Sequence, residues 1–365
     1  MLKIKDIVAH LENVAPLSLQ ESYDNAGLIV GNMETEVSNI TISLDCTEQV
    51  IQDAIDANSN LIVSHHPIIF KGLKKITGDN YVERTILKAI KNDIAIYATH
   101  TNLDSINTGV NRKISEKLKL RNVRILKPKE STLQKLETFV PIKNTNEVLN
   151  ALFNAGAGDI GEYSHCSFAS PGEGSFLPKE NANPHIGKTG TLENVDEQKI
   201  EVVFPFHKRH SIVNALKKSH PYEEVAYYVL NMVNTNPELG SGMIGELESE
   251  MSEQKFLEFL KSQMELKVVK HTHLLKKPIQ KIAVCGGAGS FLINNARKAG
   301  ANVFITSDFK YHEFFDAENE IILMDIGHYE SEIYTNELLY EILSKKFPNI
   351  ALRFTKVNTN PILYS

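Results

Sequence analysis

Asn60-Leu61-Ile62-Val63-Ser64-His65-His66-Pro67 is a short apolar run closed by two histidines and a proline. It is too brief for a stable helix and reads as a buried strand. Pro67 supplies no N–H and keeps His66 extended, so the strand ends there. Upstream, Ile40-Thr41-Ile42-Ser43-Leu44 reads as another strand and Val50 to Ala57 as a helix. Downstream, a helix is expected from Val82 to Lys91 and a strand at Ile94-Ala95-Ile96-Tyr97-Ala98. This βαβαβ rhythm predicts an α/β fold with mainly parallel sheets covered by helices. Ligands of such sheets gather at the carboxyl ends of the strands, where His65 and His66 stand.

The last third repeats the rhythm. Strands are expected at Lys281 to Val284, Val303 to Thr306 and Ile321 to Met324, with a helix from Phe291 to Lys298. An amphipathic helix from Ser331 to Phe347 is stopped by Pro348. Asn60 to His66 aligns with Asn302-Val303-Phe304-Ile305-Thr306-Ser307-Asp308, and His100-x-x-x-Asp104 has the spacing of His328-x-x-x-Glu332. Both matches in the same order point to a pseudo-duplicated α/β core.

The middle differs. Glycine and proline loop signals recur at Gly156-Ala157-Gly158, Pro171-Gly172-Glu173-Gly174, Pro178 and Pro184. Strands at Leu136 to Val140, Ile200 to Phe204 and Ala226 to Leu230, with helices at Thr145 to Asn154 and Ser211 to Lys218, predict a ferredoxin-like α+β domain. The expected division is residues 1–131 for the first half of the core, 132–236 for the insert and 237–365 for the second half.

Across 365 residues, 39 Lys+Arg against 45 Asp+Glu give a net charge of −6. That balance disfavours nucleic-acid binding through a dedicated basic domain and leaves room only for a local patch, so no strong nucleic-acid signal is read. No apolar stretch is long enough to span a membrane. Met1-Leu2-Lys3-Ile4-Lys5-Asp6 meets charge too early for a signal peptide. Cys46, Cys166 and Cys285 form no C-x-x-C pair, which argues against a thiolate zinc site or a disulfide framework. A cytoplasmic protein is expected.

Side chains alternate along a strand, so the adjacent His65 and His66 converge only where the chain leaves it. They read either as ligands of two different cations or as a pair of polar loop residues. In Gly327-His328-Tyr329-Glu330-Ser331-Glu332, an imidazole and a carboxylate one helical turn apart share a side. The competing explanation for Glu332 is a favourable charge in a first helical turn. His65, His66, Asp104, His328 and Glu332 together offer three imidazoles and two carboxylates at strand ends. That set leaves open positions on two divalent cations, as hydrolytic pairs require, and its mixed nitrogen and oxygen donors suit zinc, iron or manganese.

Five segments carry a family resemblance: Tyr23-Asp24-Asn25-Ala26-Gly27-Leu28-Ile29-Val30-Gly31, Ser64-His65-His66-Pro67, His100-Thr101-Asn102-Leu103-Asp104, Thr306-Ser307-Asp308-Phe309-Lys310-Tyr311-His312 and Asp325-Ile326-Gly327-His328-Tyr329-Glu330-Ser331-Glu332. They resemble the GTP cyclohydrolase 1 type 2 homologue family, also known through the yeast Ngg-interacting factor. The resemblance implies a toroidal homohexamer with a dinuclear metal site in each subunit, liganded by His65, His66, Asp104, His328 and Glu332. It also implies a PII-like insert, with His220-Pro221-Tyr222-Glu223-Glu224 as the similar stretch. Tyr23 stands where the family commonly has Trp, and Ser307 where Gly is common.

The family name implies hydrolytic opening of the guanine imidazole ring of GTP by a metal-bound hydroxide. His312 or His100 would then protonate the ring nitrogen. For His312, a packed surface position is the competing reading. Two other classes stay open: a metal-dependent phosphoesterase or nuclease-like hydrolase, and a non-enzymatic metal-binding regulator whose insert senses a ligand. Cys285-Gly286-Gly287-Ala288-Gly289-Ser290 reads as a phosphate cradle or, better, as a tight turn. His207-Lys208-Arg209-His210 reads as an anion site or, better, as a solvated loop.

Overall fold

Leu61–Ser64 and Ala95–Ala98 are buried at every residue, a pattern that belongs to central strands covered on both faces. The computed structural model describes residues 1–365, with fifteen strands in three sheets and eleven α-helices. The strands of the first part are β1 (Gly27–Val30), β2 (Asn39–Ser43), β3 (Leu61–Ser64), β4 (Ala95–Ala98) and β5 (Arg121–Pro128). Next come β6 (Leu133–Pro141), β7 (Ser167–Phe176), β8 (Glu193–Pro205) and β9 (Tyr227–Asn231). The last are β10 (Gly240–Met251), β11 (Lys270–His271), β12 (Ile279–Ala288), β13 (Val303–Ser307), β14 (Ile322–Asp325) and β15 (Ala351–Phe354).

Two compact units result, one from Met1–Pro128 with Pro237–Ser365, the other from Lys129–Asn236. In the first unit, one sheet has the order β1-β4-β3-β2-β15 and the other β11-β14-β13-β12-β10-β5. The strands β2-β3-β4 run parallel with antiparallel β1 beside β4, and β12-β13-β14 run parallel with antiparallel β11 beside β14. The same four-strand pattern therefore occurs twice. Each copy covers its sheet with amphipathic helices. Val50, Ile51 and Ala54 of the helix Glu48–Asp56 join Ile86 and Ala89 of Tyr81–Lys91 in one core, and Ile293 and Ala296 of Ile293–Lys298 join Phe304 and Leu323 in the other.

The second sheet corrects the expectation of mainly parallel pairing. β10 pairs antiparallel with both β12 and β5, so three of its five pairings are antiparallel. The cause is the insertion: the chain leaves the core along β5 and returns along its antiparallel neighbour β10. The expected helix from Ser331 to Phe347 is in fact two, His328–Glu332 and Thr335–Lys346.

The second unit runs β6, helix Thr145–Asn154, β7, β8, helix Arg209–Ser219, β9, and its all-antiparallel sheet has the order β7-β8-β6-β9. This is ferredoxin-like βαββαβ topology. Leu136 and Val140 on β6 face Val148, Leu152, Ile212 and Leu216 of the two helices. The Pro171-Gly172 signal taken for a loop lies within β7. It is tolerated because β7 is an edge strand paired only with β8. His207 to His210 is not a loop either: it forms a 3-10 turn, Phe206–Lys208, and opens the helix Arg209–Ser219.

His207 in that turn is half-buried, its Nδ1 has no hydrogen-bond partner, and burial holds its pKa down to about 4. Burial likewise lowers that of His220. An unfolded histidine titrates near 6.5, so below that pH the unfolded chain takes up the proton first. The stabilisation is complete above about 6.5 and is lost as the pH falls towards about 4. Hydrogen-exchange protection factors of β6 and β8 amides are expected to be lower at pH 5 than at pH 7.5. His207→Asn should remove part of that difference; an unchanged difference would assign it elsewhere.

Candidate metal centre

The strand ends deliver the site. Beyond β3, the His65 amide donates to Ser43 O (3.2 Å) and the His66 amide to Leu44 O (2.9 Å), so both histidines stay bonded to the chain leaving β2. Past β4, His100 precedes the single-turn helix Thr101–Asp104, whose Asp104 amide returns to His100 O. Past β14, Gly327 turns with φ 92° into the helix His328–Glu332. The two His-x-x-x-carboxylate motifs thus occupy equivalent places after equivalent strands, and their side chains meet.

Three overlapping groups could each hold a metal ion: His65 with His66 and His100; His66 with His328 and Glu332; and His65 with Asp104 and Glu332. Within each group the donor atoms lie within 4.8 Å of one another. Glu332 Oε2 accepts from His66 Nε2 at 2.8 Å and lies 3.0 Å from His328 Nε2. The other oxygen of Glu332 is 3.8 Å from His65 Nε2, and Asp104 Oδ1 is 3.7 Å from the same nitrogen. Those two separations are too long for hydrogen bonds. His65 is fully buried, and neither of its ring nitrogens nor Asp104 Oδ1 has a partner. Ligands ~2.1 Å from one shared cation lie roughly 3–4 Å apart, so the unpaired atoms fit a divalent ion.

The remaining imidazoles are oriented from behind. His66 Nδ1 meets Asp45 Oδ1 at 2.8 Å, His100 Nδ1 meets Asp24 Oδ1 at 2.7 Å, and His328 Nδ1 meets Asp308 Oδ2 at 2.5 Å. A carboxylate on Nδ1 fixes the tautomer with Nε2 as the free donor to a metal. Asp24 is held in turn by the Thr101 amide (3.0 Å) and hydroxyl. These three aspartates were not singled out as site residues from the sequence, although Asp24 and Asp308 stand in the quoted family segments. The signal that could have found them is a carboxylate just beyond a β-strand in each half, at Asp45 after β2 and Asp308 after β13.

The charges agree with this geometry. Burial opposes the charge on His66 and His328, yet the carboxylates on both ring nitrogens outweigh it and raise their pKa to about 9 and about 11. Burial would also raise Glu332, but its bonds to the imidazoles hold it well below the usual carboxylate range. Asp104 is pushed up by burial and by the charge of Glu332. The cluster therefore demands positive charge, which imidazolium protons satisfy here and a cation would satisfy in their place.

All five expected ligands and His100 come together. His312 does not join them: it is exposed in the 3-10 stretch Tyr311–Ala317, its ring beside Tyr311 and Phe315. The phosphate-cradle reading of Cys285 to Ser290 meets occupied amides. Gly286 N donates to Asn111 Oδ1 (2.9 Å) and Gly287 N to Ser331 Oγ (3.0 Å), and both glycines lie within β12. Ser307, where the family commonly has Gly, is a buried residue of β13, and the residue after it, Asp308, is left-handed with φ 58°. Aspartate tolerates that conformation better than most residues.

Residues 2–361 match the family model Duf34/NIF3 (NGG1p interacting factor 3). The chain belongs to this family. Its curated relatives include the GTP cyclohydrolase 1 type 2 homolog of Bacillus subtilis (strain 168), 38% identical over 99% of this chain and 98% of that protein. The protein of the same name from Staphylococcus epidermidis (strain RP62A) is 37% identical over 100% of both. Among solved structures, a Bacillus cereus protein related to NIF3 superposes with TM-score 0.87 at 37% identity, covering 100% of this chain and 99% of that one. A Staphylococcus aureus protein superposes with TM-score 0.79 at 30% identity, with the same coverage. The NIF3 resemblance drawn from the motifs is thereby established over the whole chain. No helix of this family member is long and apolar enough to cross a membrane.

Proposed function

We propose that this protein is a divalent-cation-dependent hydrolase acting on a small nucleotide-type substrate, with GTP as the first candidate. The observation that carries the reading is buried, unpartnered His65, with Asp104 and Glu332 at 3.7 and 3.8 Å from its Nε2. His65, His66, Asp104, His328 and Glu332 would hold two cations of zinc, iron or manganese, Glu332 being shared by two of the three groups. Bound cations would supply Lewis acidity and a nucleophile available near neutral pH. The chain's own part is orientation and proton transfer. Asp45, Asp24 and Asp308 hold the imidazoles, and His100, against His65 and His66 with centroids 5.4 and 5.5 Å away, would take up the proton released by the attacking water at its Nε2 and pass it to a leaving nitrogen. We assign that role to His100 rather than to exposed His312.

The name borne by the relatives supports GTP as the substrate to try, with ring opening and release of formate. The same proposal, on the family resemblance, includes a PII-like ligand-sensing role for the ferredoxin-like unit, assembly as a homohexamer and a cytoplasmic location. Elemental analysis of untagged protein, with formate release measured on the same sample, tests the core of it. About two metals per chain with formate release is the expected result. No metal after reconstitution would overturn the reading, and two metals without turnover would exclude GTP.

A further inference from the structure

The segment after β15 touches both halves of the candidate metal centre. Its departure is fixed: Thr355 N donates to Ile42 O (2.9 Å), while Thr355 Oγ1 and Lys356 N donate to Asp53 Oδ2 at 2.8 and 3.0 Å. Four residues on, Thr359 Oγ1 donates to Asp45 Oδ2 at 2.7 Å. The other oxygen of that carboxylate is the one on His66 Nδ1. Next, Asn360 Nδ2 donates to Glu330 Oε1 at 3.0 Å. Glu330 belongs to the helix that carries His328 and Glu332.

The arrangement at Asp45 repeats the one at Asp24. There too a threonine hydroxyl takes one carboxylate oxygen while a histidine Nδ1 takes the other. A carboxylate bonded at both oxygens cannot rotate away from its imidazole, whereas one bonded only to the imidazole can swing towards water. The donor for Asp24 comes from the start of an adjacent helix. The donor for Asp45 comes from a segment that lies more than 300 residues further along the chain.

We propose that Thr359 is a positioning residue of the metal centre, holding Asp45 so that His66 presents Nε2 to the cluster. Asn360 steadies the helix bearing the ligands of the second half. This rests on the metal reading above. Loss of a group that orients a metal-bound histidine weakens metal affinity by ~10–100-fold, and Thr359, one bond further out, belongs at the low end.

The probe is Co(II), titrated into the metal-free full-length chain against a chromophoric chelator, with the visible spectrum of the bound ion recorded. Thr359→Val is expected to bind Co(II) about 10-fold more weakly with an altered visible band, and Thr359→Ser to restore both. Thr359→Ala gives the same comparison should valine disturb the turn. Asp45→Asn should weaken binding as well, and adding Thr359→Val to it should cost little more, because the threonine acts through that carboxylate. Parent-like affinity and spectrum in Thr359→Val, or full additivity in the double variant, would overturn the inference while leaving the metal reading intact. A parent chain that takes up no Co(II) would overturn both.

Discussion

Glu332→Gln is expected to empty the cluster: metal per chain after dialysis falls below half the parent's, and hydrolysis by at least about 100-fold. Glu332 is the one residue shared by the His66–His328 group and the His65–Asp104 group, with an oxygen turned to each. It is 3% exposed, so water has little access to replace a lost ligand. An amide keeps the shape but removes the charge and turns an N–H₂ towards a site that wants a cation. The fold should survive, as a matching far-ultraviolet circular dichroism spectrum would show. Retention of the parent's metal content would remove the central residue from the reading.

Gly287→Ala should damage the same site from behind. A Cβ at Gly287 would lie 2.5 Å from Glu332 Oε1 and 3.3 Å from His328 Cε1. The backbone has little room to yield, because Gly287 N is bonded to Ser331 Oγ and Gly287 O accepts from Thr306 Oγ1 at 2.8 Å. Glu332 must therefore move. The φ of +60° at Gly287 adds about 1–2 kcal/mol of backbone strain for any L side chain. The expected result is a ~10–100-fold loss of metal affinity together with that modest loss of stability. Gly300→Ala is the control: φ is +73° with open space around it, so only the strain should appear. If Gly287→Ala kept full affinity while Gly300→Ala lost the same stability, crowding of Glu332 could not be the cause.

The residues of the candidate site were legible because each sits in a compact motif whose neighbours set its direction. His65 and His66 end a strand against Pro67, and His328 and Glu332 occupy one turn. The duplication was legible for the same reason, since β3 and β13 carry matching apolar runs before polar clusters. What pairs at long range was not legible. Asp45 and Thr359 are unremarkable loop residues until the fold brings them together. β5 and β10 pair across the whole insertion, and Gly240-Ser241-Gly242 at the start of β10 gives a turn signal rather than a strand signal. β7 hid behind a proline and two glycines that only an edge position permits. His312 looked chemical in a line of text because its exposure is a property of the folded surface.

The pairing of β15 with β2 has a consequence for how the protein is made. Asn39 aligns with Ala351 and Ile42 with Phe354 in that parallel ladder. A nascent chain on the ribosome can form β2, β3 and β4 early, but β2 keeps an open edge until residues 351–354 have emerged. Contacts this distant in sequence slow folding and lengthen exposure to chaperones and to self-association. The segment that bonds Asp45 and Glu330 follows directly from that late strand. On the reading proposed above, the candidate site would be complete only once β15 has closed that edge of the sheet.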